Sequence, residues 1–192
     1  MVTEKAASAV GLDHLDALYA EGDDPWGFRT SAYEQAKFAA TRAALSRPAY
    51  DSALEPGCGN GELARHIAPL CRRYTGIDAV ETALEAARRA VPQGRFVQGF
   101  LPCAFPPGDY DLVLLSEVLY FLDRPGLDAL AREIAARCPA AEVLAVTWLG
   151  PSGNPLEGGE ALEAFAAAMA PAFRRIPVLC QPRFRIDRFL AP

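Results

Sequence analysis

The fold is read from Ser52-Ala-Leu-Glu-Pro-Gly-Cys-Gly-Asn-Gly-Glu62. Ser52 to Glu55 is a short strand that runs into a turn with glycine at 57, 59 and 61. A helix follows, with Leu63, Ile67 and Leu70 on one face. Glycine has no Cβ, so such a turn bends sharply and lets a ligand approach the backbone. A dinucleotide-binding turn, G-x-G-x-x-G, needs glycine at position 62, where this chain has Glu62. A carboxylate there opposes a pyrophosphate seated on the helix N-terminus. The phosphate loop G-x-x-x-x-G-K-[ST] is absent as well. The ligand that suits a glycine turn without phosphate chemistry is a nucleoside joined to an amino acid.

Outward from this turn, strands and helices alternate. Arg73–Ile77, Arg95–Gln98, Asp111–Ser116 and Glu142–Trp148 read as strands. Glu81–Val91 reads as a helix with Leu84, Ala87 and Val91 aligned. Leu127, Leu130, Ala131, Ile134, Ala135 and Cys138 stripe another, and Leu162, Phe165, Ala166 and Met169 a third. Arg174–Gln181 and Arg183–Leu190 form a closing antiparallel hairpin around Pro182. The alternation predicts an α/β fold, a doubly wound, mostly parallel seven-stranded sheet with helices on both faces. Two helices precede it. One carries Leu12, Leu15, Leu18 and Tyr19; the other is capped by Ser31 and runs through Tyr33, Lys37 and Phe38 to about Leu45. One domain over 1–192 is expected, with a helical segment at 1–48 and an α/β core at 50–192. Ligands of such sheets bind at the strand carboxyl ends near the topological switch point. The loops after the first, second and fourth strands are therefore where chemistry is sought.

The 192 residues are 51% hydrophobic and 22% charged, the proportions of one globular domain. A net charge of -5 disfavours nonspecific binding to nucleic acid or to an anionic membrane. No apolar run approaches the roughly 20 residues of a membrane-spanning helix. Met1 to Ala20 lacks a secretory apolar segment, so a cytoplasmic location is expected. Five cysteines without a C-x-x-C pair argue against a disulfide framework or a zinc site. Arg174, Arg175, Arg183, Arg185 and Arg188 crowd the closing hairpin, as a site for a polyanion or as a charge-protected edge strand. Monomer and homodimer both stay open.

Asp78 closes the second strand, 17 residues past Gly61. A carboxylate there accepts hydrogen bonds from both hydroxyls of a ribose, or caps the helix near Glu81. Ser116 and Glu117 stand at the carboxyl edge of the fourth strand. Tyr120 follows, to line an acceptor pocket or to pack the loop. His14, on the first helix, is an acid–base candidate or a structural residue.

Glu55-Pro-Gly-Cys-Gly-Asn-Gly61 resembles motif I, E/D-x-G-x-G-x-G, of class I S-adenosylmethionine-dependent methyltransferases. Asp23-Asp-Pro-Trp26, Tyr33-Glu-x-x-Lys37, that motif and Leu115-Ser-Glu-Val-x-Tyr120 occur in this order. The combination resembles the nodulation protein S family, rhizobial N-methyltransferases acting on the deacetylated amine of a chitooligosaccharide. The resemblance runs from about Asp13 to Leu156. It implies a Rossmann-like methyltransferase fold, S-adenosylmethionine as cofactor, S-adenosylhomocysteine as product, no metal, and a small-molecule acceptor methylated on nitrogen. It also implies that Glu55, Gly57, Cys58, Gly59, Gly61, Asp78, Ala79, Phe100, Leu101 and Ser116 bind the cofactor. Phe100 stands near the place where such enzymes often carry an aspartate for the adenine amino group, so adenine recognition here would rest on backbone groups and ring packing. The absence of N/D-P-P-Y/F after the fourth strand sets DNA bases and glutamine aside. The family further implies that the N-terminal helices cover the cofactor. Trp26 would pack on apolar parts of cofactor or substrate, Tyr33 would donate a hydrogen bond, and Lys37 would pair with the cofactor carboxylate. Plain packing for Trp26 and a surface position for Tyr33 and Lys37 are the competing readings.

Methyl transfer is an in-line displacement with a neutral leaving group, so positioning is the main contribution, about 7–11 kcal/mol at best. An amine attacks only when uncharged, and a hydroxyl needs more help from a base. Glu117 is the first candidate to contact or deprotonate the nucleophile, with binding the cofactor's amino group as an equal alternative. His14 is the second candidate. An O-methyltransferase of a small metabolite and a non-catalytic S-adenosylmethionine-binding module are the competing functions. A nicotinamide-dependent oxidoreductase is opposed by Glu62.

Overall fold

Six of the seven residues of β1 (Tyr50–Pro56) are buried, a pattern that demands neighbours at both edges and on both faces. The computed structural model, which describes residues 9–192, supplies them. β2 (Cys71–Asp78) and β4 (Leu112–Ser116) flank β1 in parallel. β3 (Arg95–Gln98) extends the sheet beyond β2, and β5 (Glu142–Trp148) extends it beyond β4. An antiparallel hairpin, β6 (Arg174–Cys180) and β7 (Phe184–Leu190), completes seven strands in the order β3-β2-β1-β4-β5-β7-β6. The chain runs outward from β1 to β3 and then returns to β4 on the other side of β1. That reversal opens a crevice at the carboxyl ends of β1 and β4.

Alternation along the strands feeds two apolar layers. Leu112, Leu114, Leu144 and Val146 face α3 (Glu62–Ile67) and α4 (Glu81–Ala90). Val113, Leu115, Val143 and Ala145 face α5 (Arg124–Arg137) and α6 (Gly158–Met169). Asp123 caps α5 by accepting from Gly126 N at 2.8 Å. α3 is shorter than its apolar stripe predicts. Ala68–Leu70 tightens into a 3₁₀ turn, because Pro69 has no N–H to continue the helix.

The hairpin puts β6 at the sheet edge, and most of its arginines are paired. Arg175 and Arg185 reach the fully buried Asp187 at 2.8 and 2.6 Å, and Arg188 reaches Glu142 at 2.9 Å. Glu142 also accepts from Ser46 N at 3.0 Å and Tyr50 Oη at 2.6 Å. This cluster ties down the end of α2 (Ala32–Ala43), the helix that Ser31 caps by accepting from Glu34 N at 3.3 Å. The start of α2 thereby points to the crevice. α1 (Leu12–Leu18) precedes it; Val10 N donates to Phe121 O at 2.9 Å and holds this segment to the loop after β4. Among the described residues no helix is long and apolar enough to cross a membrane.

Gly61 serves packing between helices. It stands at φ +78°, and a Cβ there would lie 2.8 Å from Ala87 Cα on α4. Gly61→Ala is expected to lower stability by about 2–4 kcal/mol, from the left-handed strain plus displacement of α4. Urea unfolding checks this, and a loss below half a kcal/mol would show that α3 and α4 part freely.

Candidate active site

A cavity of about 420 Å³ opens at the switch point. Its floor is the glycine turn. Gly57 N and Cys58 N both donate to Ile77 O, at 2.7 and 2.9 Å, which folds the turn back over β2. Gly57 stands at φ +76°, and a Cβ there would lie 2.4 Å from Val118 Cγ2, so only glycine fits between the turn and the loop after β4.

Asp78 lines the floor. Its Oδ2 accepts from Gly59 N at 2.8 Å and its Oδ1 from Val80 N at 3.0 Å. Val80, not Asp78, is the N-cap of α4. Burial pushes the Asp78 carboxyl up from its ordinary range, and the N–H groups of Val80 and Gly59 restrain it. Each carboxylate oxygen keeps a further lone pair for a ligand hydroxyl.

Glu55 lies beneath, fully enclosed. Burial pushes its carboxyl up to about 8, against the Tyr74 hydroxyl that donates to it at 2.5 Å. Between the ordinary value of 4.5 and about 8, the folded chain keeps a proton that the unfolded chain has lost. Stability therefore falls as pH rises through that window, by up to about 1.4 kcal/mol per pH unit from this group. Glu55→Gln is expected to flatten the decline in urea-unfolding free energy between pH 5 and pH 8; an unchanged slope would exclude Glu55 as its source.

The opposite wall comes from the loop after β4. Glu117 is held in the left-handed region, φ +55°, a rare place for a residue with a side chain. Its N–H donates to Val146 O at 2.8 Å, which fixes the turn. Strain of this kind, of order 1–3 kcal/mol, gathers at functional sites. Lys37 Nζ of α2 stands 2.5 Å from Glu117 Oε2 and 2.6 Å from Glu34 Oε2. Burial pushes the Glu117 carboxyl up, and Lys37 opposes that rise.

The segment between α1 and α2 closes over the turn. Asn60 Nδ2 donates to Asp24 Oδ1 at 2.9 Å and to Asp23 O at 3.0 Å. Asp23 pairs with Arg29 at 2.6 Å and with Arg89 of α4 at 2.7 Å. Arg29 also approaches the buried Glu62 at 3.3 Å, which neutralises the carboxylate that stands against phosphate. Trp26 stays 43% exposed at the rim, stacked on Phe28 and edge-on to Tyr19.

Most of the expected residues converge here. Trp26, Lys37, Glu55, Gly57, Cys58, Gly59, Asp78, Ala79, Phe100, Leu101, Ser116, Glu117 and Tyr120 all line the cavity. Three do not. His14 is exposed on α1 and lies outside the lining, so of the two acid–base candidates only Glu117 reaches the cavity. Gly61 lies behind the turn against Ala87. The Tyr33 ring lies under the Arg183 guanidinium at 3.8 Å and edge-on to Trp148 and Phe184, also outside the lining. Lys37 is neither at the surface nor free for a ligand carboxylate, since it is 2% exposed between two glutamates. Glu34, Asn60, Phe28 and Trp148 line the cavity without having been singled out. Glu34 and Asn60 lie inside the quoted strings, and only their long-range contacts reveal them.

The cavity suits a cationic ligand. Glu34, Asp78 and Glu117 line it against the single lysine Lys37, beside Glu55, which burial keeps protonated, and Glu62, which Arg29 pairs. The turn at Gly57 and Gly59 borders the cavity with bare backbone, and the Asp78 carboxylate lines it beside them. Among the described residues no group of His, Cys, Asp and Glu is placed to hold a metal ion.

Comparison with known proteins agrees. Residues 12–138 match the family model described as nodulation protein S (NodS). The chain is 30% identical over 161 residues to nodulation protein S of Sinorhizobium fredii, covering 82% of this chain and 70% of that protein. The crystal structure of N-methyltransferase NodS from Bradyrhizobium japonicum WM9 in complex with S-adenosyl-L-homocysteine has the same fold. Its TM-score is 0.79 at 21% identity, covering 94% of this chain and 98% of that one. A crystal structure from Pseudomonas syringae aligns at TM-score 0.68 and 32% identity, covering 83% of this chain and 99% of its own. Matched to the family model over more than half of its length, the chain belongs to the nodulation protein S family.

Proposed function

We propose that this chain, an S-adenosylmethionine-dependent methyltransferase, methylates the amine of a small acceptor, with an amino sugar or its oligomer as the first candidate. The observation that carries the nitrogen assignment is Glu117, a half-buried carboxylate in a strained turn, facing a cavity with a surplus of acidic groups. When bound, S-adenosylmethionine supplies an electrophilic methyl group on a positive sulfur. Asp78 holds the ribose hydroxyls, and the backbone of the glycine turn accepts the amino-acid end. Phe100 and Leu101 pack the base. Glu117 takes one proton from the acceptor ammonium and exposes its lone pair. Tyr120 and Trp26 border the acceptor, and the segment before α2, pinned by Asn60, excludes water. Of the segment 1–48, residues 9–48 act as this cover and 50–192 as the core; residues 1–8 lie outside the described residues. The cytoplasm is the proposed location, which five free cysteines support.

The test is incubation with isotope-labelled S-adenosylmethionine and a panel of amines and alcohols, glucosamine oligomers first. The expected product carries its label on nitrogen. Label on oxygen alone would overturn the nitrogen assignment.

A further inference from the structure

Lys37 is the fully buried member of an ion trio rather than a pair. Its ammonium sits 2.5 Å from Glu117 and 2.6 Å from Glu34, with side-chain exposures of 2%, 12% and 14% in the order Lys37, Glu117, Glu34. All three line the cavity. Burying such charges costs several kcal/mol per ion before their attraction is counted, so stability alone does not account for the set. The Glu34 contact is ionic: no donor among the described residues is aligned for a hydrogen bond on its Oε2. Glu34 acts on the trio through its charge.

We propose that Glu34 is a positioning residue for the transfer: by sharing the Lys37 ammonium with Glu117, it leaves the trio one negative charge in excess, so that Glu117 can take the proton of an incoming ammonium. The proposal rests on the amine reading given above. With Lys37 devoted to Glu117 alone, the pair would be neutral and Glu117 a poor base. With Glu34 added, the acceptor's own positive charge completes the balance. The proton passes from R–NH₃⁺ to the Glu117 carboxylate, giving R–NH₂ and a carboxylic acid, and the trio becomes neutral. The nitrogen lone pair then forms the C–N bond as the C–S bond breaks toward sulfur. The products are R–NH₂⁺–CH₃ and neutral S-adenosylhomocysteine.

Other titratable groups face Glu117. Tyr33 of α2 and Tyr120 after β4 are both pushed up by burial, and each interacts with the Glu117 charge. Both phenols are thus neutral near pH 7. Arg183, on the turn between β6 and β7, stacks on the Tyr33 ring one layer farther out. Glu34 and Lys37 are the charges that act on Glu117, one raising and one lowering its carboxyl.

The test is isotope-edited infrared titration of the full chain in its S-adenosylhomocysteine complex, with labelled glutamate and Glu117→Gln to identify the Glu117 band. Glu34→Gln is expected to move the Glu117 midpoint down by about one pH unit, and Lys37→Met to move it up. The acid limb of the kcat profile with an amine acceptor follows the Glu34→Gln shift. Should Glu34→Gln fail to fold, Glu34→Asp, which withdraws the charge, gives a smaller downward shift. A midpoint that stays put in Glu34→Gln or Glu34→Asp overturns the proposal. A shifted midpoint without turnover of any amine overturns the acceptor assignment and the positioning role with it, and leaves only the charge coupling of Glu34 to Glu117.

Discussion

Asp78→Ala is expected to weaken S-adenosylhomocysteine binding by more than about 100-fold. Two hydrogen bonds to a charged acceptor are worth about 1.5–3 kcal/mol each, and their joint loss exceeds the 2.8 kcal/mol that a factor of 100 represents. The same change strips Gly59 N and Val80 N of their acceptor, so the glycine turn loosens as well. Asp78→Asn keeps one side-chain oxygen as acceptor and is expected to fall between. Calorimetric titration measures all three proteins, with circular dichroism to show that each is folded. An affinity within threefold of the parent in Asp78→Ala would remove Asp78 from the ribose site.

Glu117→Gln carries the other large effect. Removal of a positioned base lowers kcat by about 10²–10⁴-fold, while S-adenosylhomocysteine affinity stays within about threefold. The pH profile supplies the sign. The proposed base must be the carboxylate, so the rate is expected to fall as pH drops through the pKa of Glu117. Burial raises that pKa, and Lys37 limits the rise, so the acid limb lies above the ordinary carboxylate range of about 4.5. In Glu117→Gln that limb moves up to the ionisation of the acceptor amine itself, since an amine attacks only when uncharged. The reverse pattern, with affinity lost and kcat kept, would assign Glu117 to the cofactor's amino group.

What could be read in the sequence was local. β1, the glycine turn and α3 are contiguous, and Asp78 lies on the next strand, so motif spacing alone brings Gly57, Gly59 and Asp78 to one crevice. The closing hairpin was legible because Pro182 separates two strand-like stretches, Arg174–Gln181 and Arg183–Leu190. The antiparallel pairing of β6 and β7 follows from it. The rest of the site joins distant segments. Lys37 meets Glu117 across 80 positions, and Asn60 meets Asp24 across 36. No periodicity marks such pairs, and helical spacing gave no reason to place Lys37 at 2% exposure. His14 was a candidate by residue type, and its exposure on α1 takes it out of reach. Gly61 fits the motif as a cradle residue, yet the close approach of Ala87 explains it as packing. The strain at Glu117 is a backbone property that no residue type announces.

The most direct measurement is calorimetric titration of the parent chain with S-adenosylhomocysteine at neutral pH. A cavity floored by Gly57, Gly59 and Asp78 predicts one site of micromolar affinity, about 8 kcal/mol of binding free energy. A folded protein that gives no heat with millimolar ligand would contradict the account, and the glycine turn would then be a structural corner alone.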